Sequence, residues 1–115
     1  MKKYDIYWAN LPGEGTDTTV IYGTRPVIIV SNDANNEYAP FVTVVPLTSN
    51  LFKKAMPTHV FITGQGLKTS GLALCEQIIT LDKNQLSAQI GFLTKEWDKL
   101  AVEHAVQVQL GMVEA

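Results

Sequence analysis

The stretch Gly23-Thr24-Arg25-Pro26-Val27-Ile28-Ile29-Val30-Ser31 decides how this chain is read. Val27 to Val30 is uninterrupted apolar sequence, which predicts a strand over Arg25–Ser31 buried on both faces. Pro26 fixes its own φ and pushes Arg25 toward extended geometry, while Gly23 lets the backbone turn sharply just upstream. Arg25, the single arginine of the chain, is therefore held in a defined place at a loop-to-strand junction. A guanidinium offers a rigid fork of donors and keeps its charge at any working pH, so its chemistry is anion recognition. The ordinary alternative is a surface salt bridge, which carries little stability.

Outward from this strand the pattern stays β. Upstream, Asp5-Ile6-Tyr7-Trp8-Ala9 alternates and is aromatic, a first strand. Between them Leu11–Gly23 holds Pro12, Gly13, Gly15 and several threonines, the composition of a long loop, and loops of that length in a compact domain tend to be functional. Downstream, Asn32–Asn36 reads as a turn and Phe41–Leu47 as a third strand ending at Pro46, a residue suited to strand ends and edges. A fourth strand is expected over Thr58–Thr63, closed by Gly64-Gln65-Gly66, a fifth over Leu72–Leu81 and a short sixth over Ala88–Leu93. From Thr94 the period becomes helical: Thr94 suits an N-cap, Glu96 and Asp98 suit the positive helix start, and Trp97, Leu100, Ala101, Ala105 and Val108 share a face. Five or six short strands with one terminal helix predict a mainly β fold, a small, strongly bent antiparallel barrel or half-barrel.

At 115 residues the chain is read as one domain over residues 1–115. A hydrophobic share of 46% with 17% charged residues describes a folded globular protein. No apolar stretch is long enough to span a membrane, and Met1-Lys2-Lys3-Tyr4-Asp5 lacks the core of a signal peptide, so a cytoplasmic location with no membrane partner is expected. The one cysteine, Cys75, precludes an internal disulfide and reads as a small buried hydrophobe. The formal net charge of −2 provides no global field for nucleic acid. Glu96, Asp98, Glu103 and Glu114 nevertheless crowd the last twenty residues and leave the rest near neutral. Local docking of RNA phosphates would fall to Lys53 and Lys54 with Arg25 and Lys68, all of which also suit ordinary solvated loops.

Three polar interruptions sit at the edges of apolar strands: Arg25, Thr48-Ser49 and Glu76-Gln77. Thr48 and Ser49 emerge as the third strand ends, where spacing alone favours a turn that satisfies backbone groups. Glu76 and Gln77 fall on opposite faces if the fifth strand is regular, and the plain reading is an edge pair satisfied by backbone. Two widely separated histidines and one cysteine do not make a zinc site, and phosphate-cradling glycine loops and serine elbows are absent. His59 and His104 read as structural.

Taken together, Asp5-Ile6-Tyr7-Trp8, Gly23–Asp33, Val44-Val45-Pro46-Leu47-Thr48-Ser49, Pro57-Thr58-His59-Val60 and Glu76-Gln77-Ile78 resemble the successive motifs of MazF/PemK-type toxin ribonucleases, from about Tyr4 to Gly111. The resemblance implies an SH3-like barrel that forms a homodimer and cuts single-stranded RNA at short sequences without metal or other cofactor, leaving a 2′,3′-cyclic phosphate and a 5′-hydroxyl. It implies a cognate antitoxin that covers the RNA groove. Arg25 matches the family's catalytic arginine and Thr48 its catalytic threonine. Asn32 and Gln77 match positions that touch RNA, and Ser49, Glu76, Lys53 and Lys54 are the adjoining candidates. The chain departs from the family in the longer, β-branched loop Thr16–Tyr22 and in Ile79, where members often carry arginine.

The chemistry suits these side chains. Attack of a ribose 2′-oxygen on its own phosphate is already intramolecular, so the protein must mainly hold an in-line geometry and stabilise transition-state charge. Arg25 can supply that stabilisation bidentately and Thr48 can add a neutral hydrogen bond. Neither is a base, since arginine stays protonated and threonine is a very weak acid. Two rival readings use other features. A CcdB-like topoisomerase inhibitor of the same superfold would bind through its terminal helix, with Trp97 as an exposed anchor. An SH3-like adaptor would bind extended peptides on Tyr4, Tyr7, Trp8 and Tyr22.

Overall fold

The computed structural model describes residues 1–13 and 19–115. In chain order it contains β1 (Asp5–Leu11), β2 (Gly23–Ile29), α1 (Asp33–Tyr38), β3 (Phe41–Thr48), β4 (His59–Ile62), β5 (Gly71–Leu74), β6 (Ile79–Asp82), β7 (Leu86–Phe92) and α2 (Glu96–Gln109). All strand pairs are antiparallel, in the order β4-β5-β3-β2-β1-β7, with β6 also on β3. The architecture is the mainly β sheet with a C-terminal helix that the alternation predicts. It has seven strands rather than five or six, and among the described residues no ladder joins β4 to β7, so the bent sheet stays open.

Three departures have local causes. The expected turn at Asn32–Asn36 is the start of α1, because the Asn32 side chain caps it by accepting from the Asn35 N–H at 2.8 Å. The expected fifth strand is two strands broken by a 3₁₀ turn at Cys75–Gln77. In that turn the Cys75 N–H donates to the Thr58 carbonyl at 3.0 Å instead of to a ladder on β3. Val44 pairs with Ile29 of β2 and with Ile79 of β6, so β6 and β5 share the edge of β3 opposite β2. Pro46 lies inside β3, not at its end. Of the loop Leu11–Gly23, residues 14–18 lie outside the described residues, including the start of the Thr16–Tyr22 departure.

Strand alternation divides the core between the two faces of the sheet. Ile6, Ile28 and Val45 pack with Ile62, Ala73, Cys75 and Leu93 beneath Val102 and Ala105 of α2, whereas Ala9, Val27, Ile29, Val42, Val44 and Leu81 fill the other face. Val27, Ile28 and Ile29 are each fully buried, so both faces of β2 are covered, as its continuous apolar run requires.

The inward face of α2 is only partly the expected one, since Ala105 is buried as expected but Trp97 and Leu100 are not. Asp98, Val102 and Ala105 are buried, while Trp97 is 72% and Leu100 62% exposed. The rotation follows from the capping. Thr94 does not cap the helix; Lys95 holds that position without a side-chain bond. Gln65 reaches in from the β4–β5 connection instead. Its Oε1 accepts from the Thr94 and Lys95 N–H groups at 2.7 and 3.1 Å, and its Nε2 donates to Asp98 Oδ2 at 2.9 Å. This draws Asp98 inward and turns Trp97 and Leu100 out. The same connection lies hard against β7: a Cβ on Gly91 would meet the Gln65 carbonyl oxygen at 2.1 Å, and one on Gly66 would meet that of Ile90 at 2.4 Å.

Candidate functional site

The site begins where β2 and β3 lose one another. Their ladder ends at Val27 opposite Pro46, because neither Pro26 nor Pro46 has an N–H to carry it further. Beyond that pair β2 continues on β1, with Arg25 opposite Ala9, and β3 continues on β5, with Thr48 opposite Leu72. The antiparallel register, extended two residues past its last pair, sets Arg25 across from Thr48. A cleft of about 620 Å³ lies there, and both residues line it. Trp8, Ser49, Gln89 and the segment Gly66–Gly71 contribute further walls. Among the lining residues Arg25 and Lys68 are the cations and none is a carboxylate, so this face is locally positive in a protein of net charge −2.

Arg25 is half-buried. Its Nε donates to the Tyr22 carbonyl at 3.2 Å, and among the described residues its terminal nitrogens have neither a hydrogen-bond nor a salt-bridge partner. The fork is thus anchored at its base, with its tips available to an anion. Thr48 is 4% exposed, and its Oγ1 accepts from the Asn50 N–H at 3.2 Å. The turn expected from spacing is therefore real. A hydroxyl has one proton and two lone pairs, so this bond leaves the proton to donate into the cleft.

The remaining candidates lie elsewhere. Asn32 is committed to the α1 cap. Lys53 and Lys54 lie in the connection after β3 and do not line the cleft. Glu76 accepts from Thr58 Oγ1 at 3.0 Å and contacts His59 Nε2 at 3.0 Å, a tie between β4 and the 3₁₀ turn. Gln77 uses both ends of its amide on the loop ahead of Arg25: Oε1 accepts from the Ile21 N–H at 2.8 Å and Nε2 donates to the Thr19 carbonyl at 3.0 Å. In a 3₁₀ turn the two-residue alternation no longer applies, and the pair diverges to these separate partners. Cys75 is fully buried; burial, and secondarily the Glu76 charge, push its thiol up to about 12, which suits packing and not nucleophilic chemistry.

Sequence reasoning gave the Gly66–Gly71 wall no role beyond Lys68 as a phosphate contact and placed Trp8 only in a peptide groove. The signals were Gly66 and Gly91, required by the close approach of that connection to β7, and an aromatic residue in the middle of β1. Trp8 is 41% exposed and offers a flat apolar face within the cleft, the type of surface on which bases stack.

The sequence profile of the PemK-like, MazF-like toxin of type II toxin–antitoxin systems matches residues 2–110. An endoribonuclease MazF of Staphylococcus saprophyticus is 37% identical over 97% of this chain and 92% of its own length. That of Staphylococcus epidermidis is 36% identical over the same shares. Among solved structures, a mycobacterial endoribonuclease in complex with its cognate antitoxin superposes with a TM-score of 0.80 at 25% identity, covering all of this chain and 99% of the other. MazF from Deinococcus radiodurans gives a TM-score of 0.81 at 22% identity over 97% of each chain. A locally positive cleft between diverging strands, on a fold shared with these proteins and with a profile match over nearly the whole sequence, leads to one conclusion: the chain belongs to the PemK-like, MazF-like toxin family of type II toxin–antitoxin systems.

Proposed function

We propose that the protein is an endoribonuclease toxin that cleaves single-stranded RNA in the cleft between β2 and β3, by attack of a ribose 2′-hydroxyl on the adjacent phosphate. The reaction forms the 2′-oxygen–phosphorus bond and breaks the bond to the 5′-oxygen, giving a 2′,3′-cyclic phosphate and a 5′-hydroxyl without metal. The observation that carries this reading is the meeting of Arg25 and Thr48 on one cleft. Arg25 stabilises the extra negative charge on the phosphoryl oxygens, and Thr48 donates a hydrogen bond to the same oxygens or to the leaving oxygen. Lys68 adds a phosphate contact at the rim and Trp8 a stacking surface for a base. The protein acts as a homodimer and is held inactive by a cognate antitoxin that covers the cleft. Support for the antitoxin comes from the mycobacterial neighbour, solved as a complex with one.

The test is incubation of purified protein with single-stranded RNA in EDTA, followed by analysis of the new ends. Cyclic-phosphate termini are expected. Arg25→Ala should keep the fold by circular dichroism and lower cleavage by about 10²-fold or more, the scale of losing one preorganised donor to transition-state charge. Wild-type cleavage by the folded variant would reject the assignment. One observation favours the topoisomerase-inhibitor reading, the exposed Trp97 on α2. Inhibition of supercoiling with intact RNA would select it.

A further inference from the structure

Gln77 spans a separation of 56 residues to accept from Ile21 and of 58 to donate to Thr19. Both partners are main-chain groups of the segment that leads into β2. One residue beyond Ile21, the Tyr22 carbonyl accepts from Arg25 Nε at 3.2 Å. A primary amide has one carbonyl and one NH₂, and here each holds one backbone group, so the clamp fixes the loop at two points. The clamp rests on a rigid base. Gln77 closes the 3₁₀ turn whose Cys75 is fully buried in the core beneath α2, and whose Glu76 is bonded to Thr58 and His59.

We propose that Gln77 is a positioning residue for Arg25: by holding the main chain at Thr19 and Ile21 it sets the Tyr22 carbonyl that aims the guanidinium into the cleft. This role rests on the nuclease reading given above, although its geometric part does not. It differs from a direct contact with an RNA base, because each end of the amide already bonds to the main chain of the loop.

Because the chain has a single arginine, its Nε–H gives one unambiguous NMR resonance, and this separates the two questions. In Gln77→Leu the Arg25 Nε–H and the Ile21 amide should exchange with solvent faster than in the wild type. Turnover of RNA should fall about 10- to 100-fold, the scale on which a small misplacement costs an oriented group, with KM changed less than about threefold. Gln77→Glu retains the acceptor for Ile21 but loses the donor to Thr19; it should show an intermediate loss, and it serves if the leucine variant does not fold. Unchanged exchange at Arg25 Nε–H overturns the clamp. Faster exchange with unchanged turnover overturns its functional role. A rise in KM or a changed cleavage sequence with the Arg25 resonance undisturbed also overturns it, in favour of direct base contact. If Arg25→Ala cleaves at the wild-type rate, the nuclease reading fails, and the exchange measurement alone still decides whether Gln77 holds the loop.

Discussion

Thr48 closes a turn with the same hydroxyl that the proposed reaction would use. Its lone pair closes the turn after β3 by accepting from the Asn50 N–H, and its buried position in the cleft wall keeps the proton away from bulk water. Valine has nearly the same shape and neither function. Thr48→Val should therefore cost about 1 kcal/mol in folding stability, the value of one ordinary hydrogen bond, measured by urea denaturation. Cleavage of RNA should fall by about 10-fold or more, because a donor to developing charge is worth more than a ground-state bond. Thr48→Ser, which keeps the hydroxyl, should restore most of the rate. The candidacy of Arg25 was legible in its rarity and its proline neighbour, both local facts. The engagement of Glu76 with His59 and of Gln77 with the loop was not, since nothing in the order Glu-Gln says which distant backbone or side chain each will meet.

Among the elements, β1 and α2 are joined by a small polar network at the opening of the first strand. Lys3 Nζ and Tyr4 Oη both donate to Glu103 Oε2, at 2.9 and 2.8 Å. The Lys3 bond first, and the Tyr4 bond second, hold the Glu103 carboxyl below its ordinary range despite some opposing desolvation. Burial and the same bond push the Tyr4 hydroxyl well above its usual value. A carboxylate lowered in the folded state contributes stability above its unfolded pKa and loses it as pH falls through the folded value. The Glu103 side chain is 44% exposed, so solvent screening limits the contribution to about 1 kcal/mol or less. Wild type should thus exceed Glu103→Gln in denaturation midpoint at neutral pH, and the gap should close in acid below the ordinary carboxylate range. A gap that widens on acidification would contradict the network. The strands were readable one by one from alternation and apolar runs. The break at Cys75–Gln77 was not, because apolar residues continue through it and the bond from Cys75 to Thr58 that replaces the ladder is non-local.

For the whole molecule, the sheet is a partition with a core on each side, and its apolar surface is not all inside. Ile28 is fully buried in the core beneath α2, whereas Leu100 on that helix is 62% exposed. Ile28→Ala should cost about 2–5 kcal/mol through lost transfer energy and the cavity left behind. Leu100→Ala should stay within about 0.5 kcal/mol. Equal effects in thermal denaturation would mean that α2 packs the other way round. The amino-acid order by itself determined the β class, the terminal helix and the place of Arg25, because alternation, apolar runs and proline act on neighbours a few residues apart. Tertiary structure alone decided which face of α2 is buried, that the sheet stays open, and that Arg25 and Thr48 share a cleft while Gln77 holds the loop behind it. Those outcomes depend on contacts such as Gln65 with the start of α2 and Gln77 with Ile21, which form between segments 29 to 56 residues apart and are selected by packing of the whole chain.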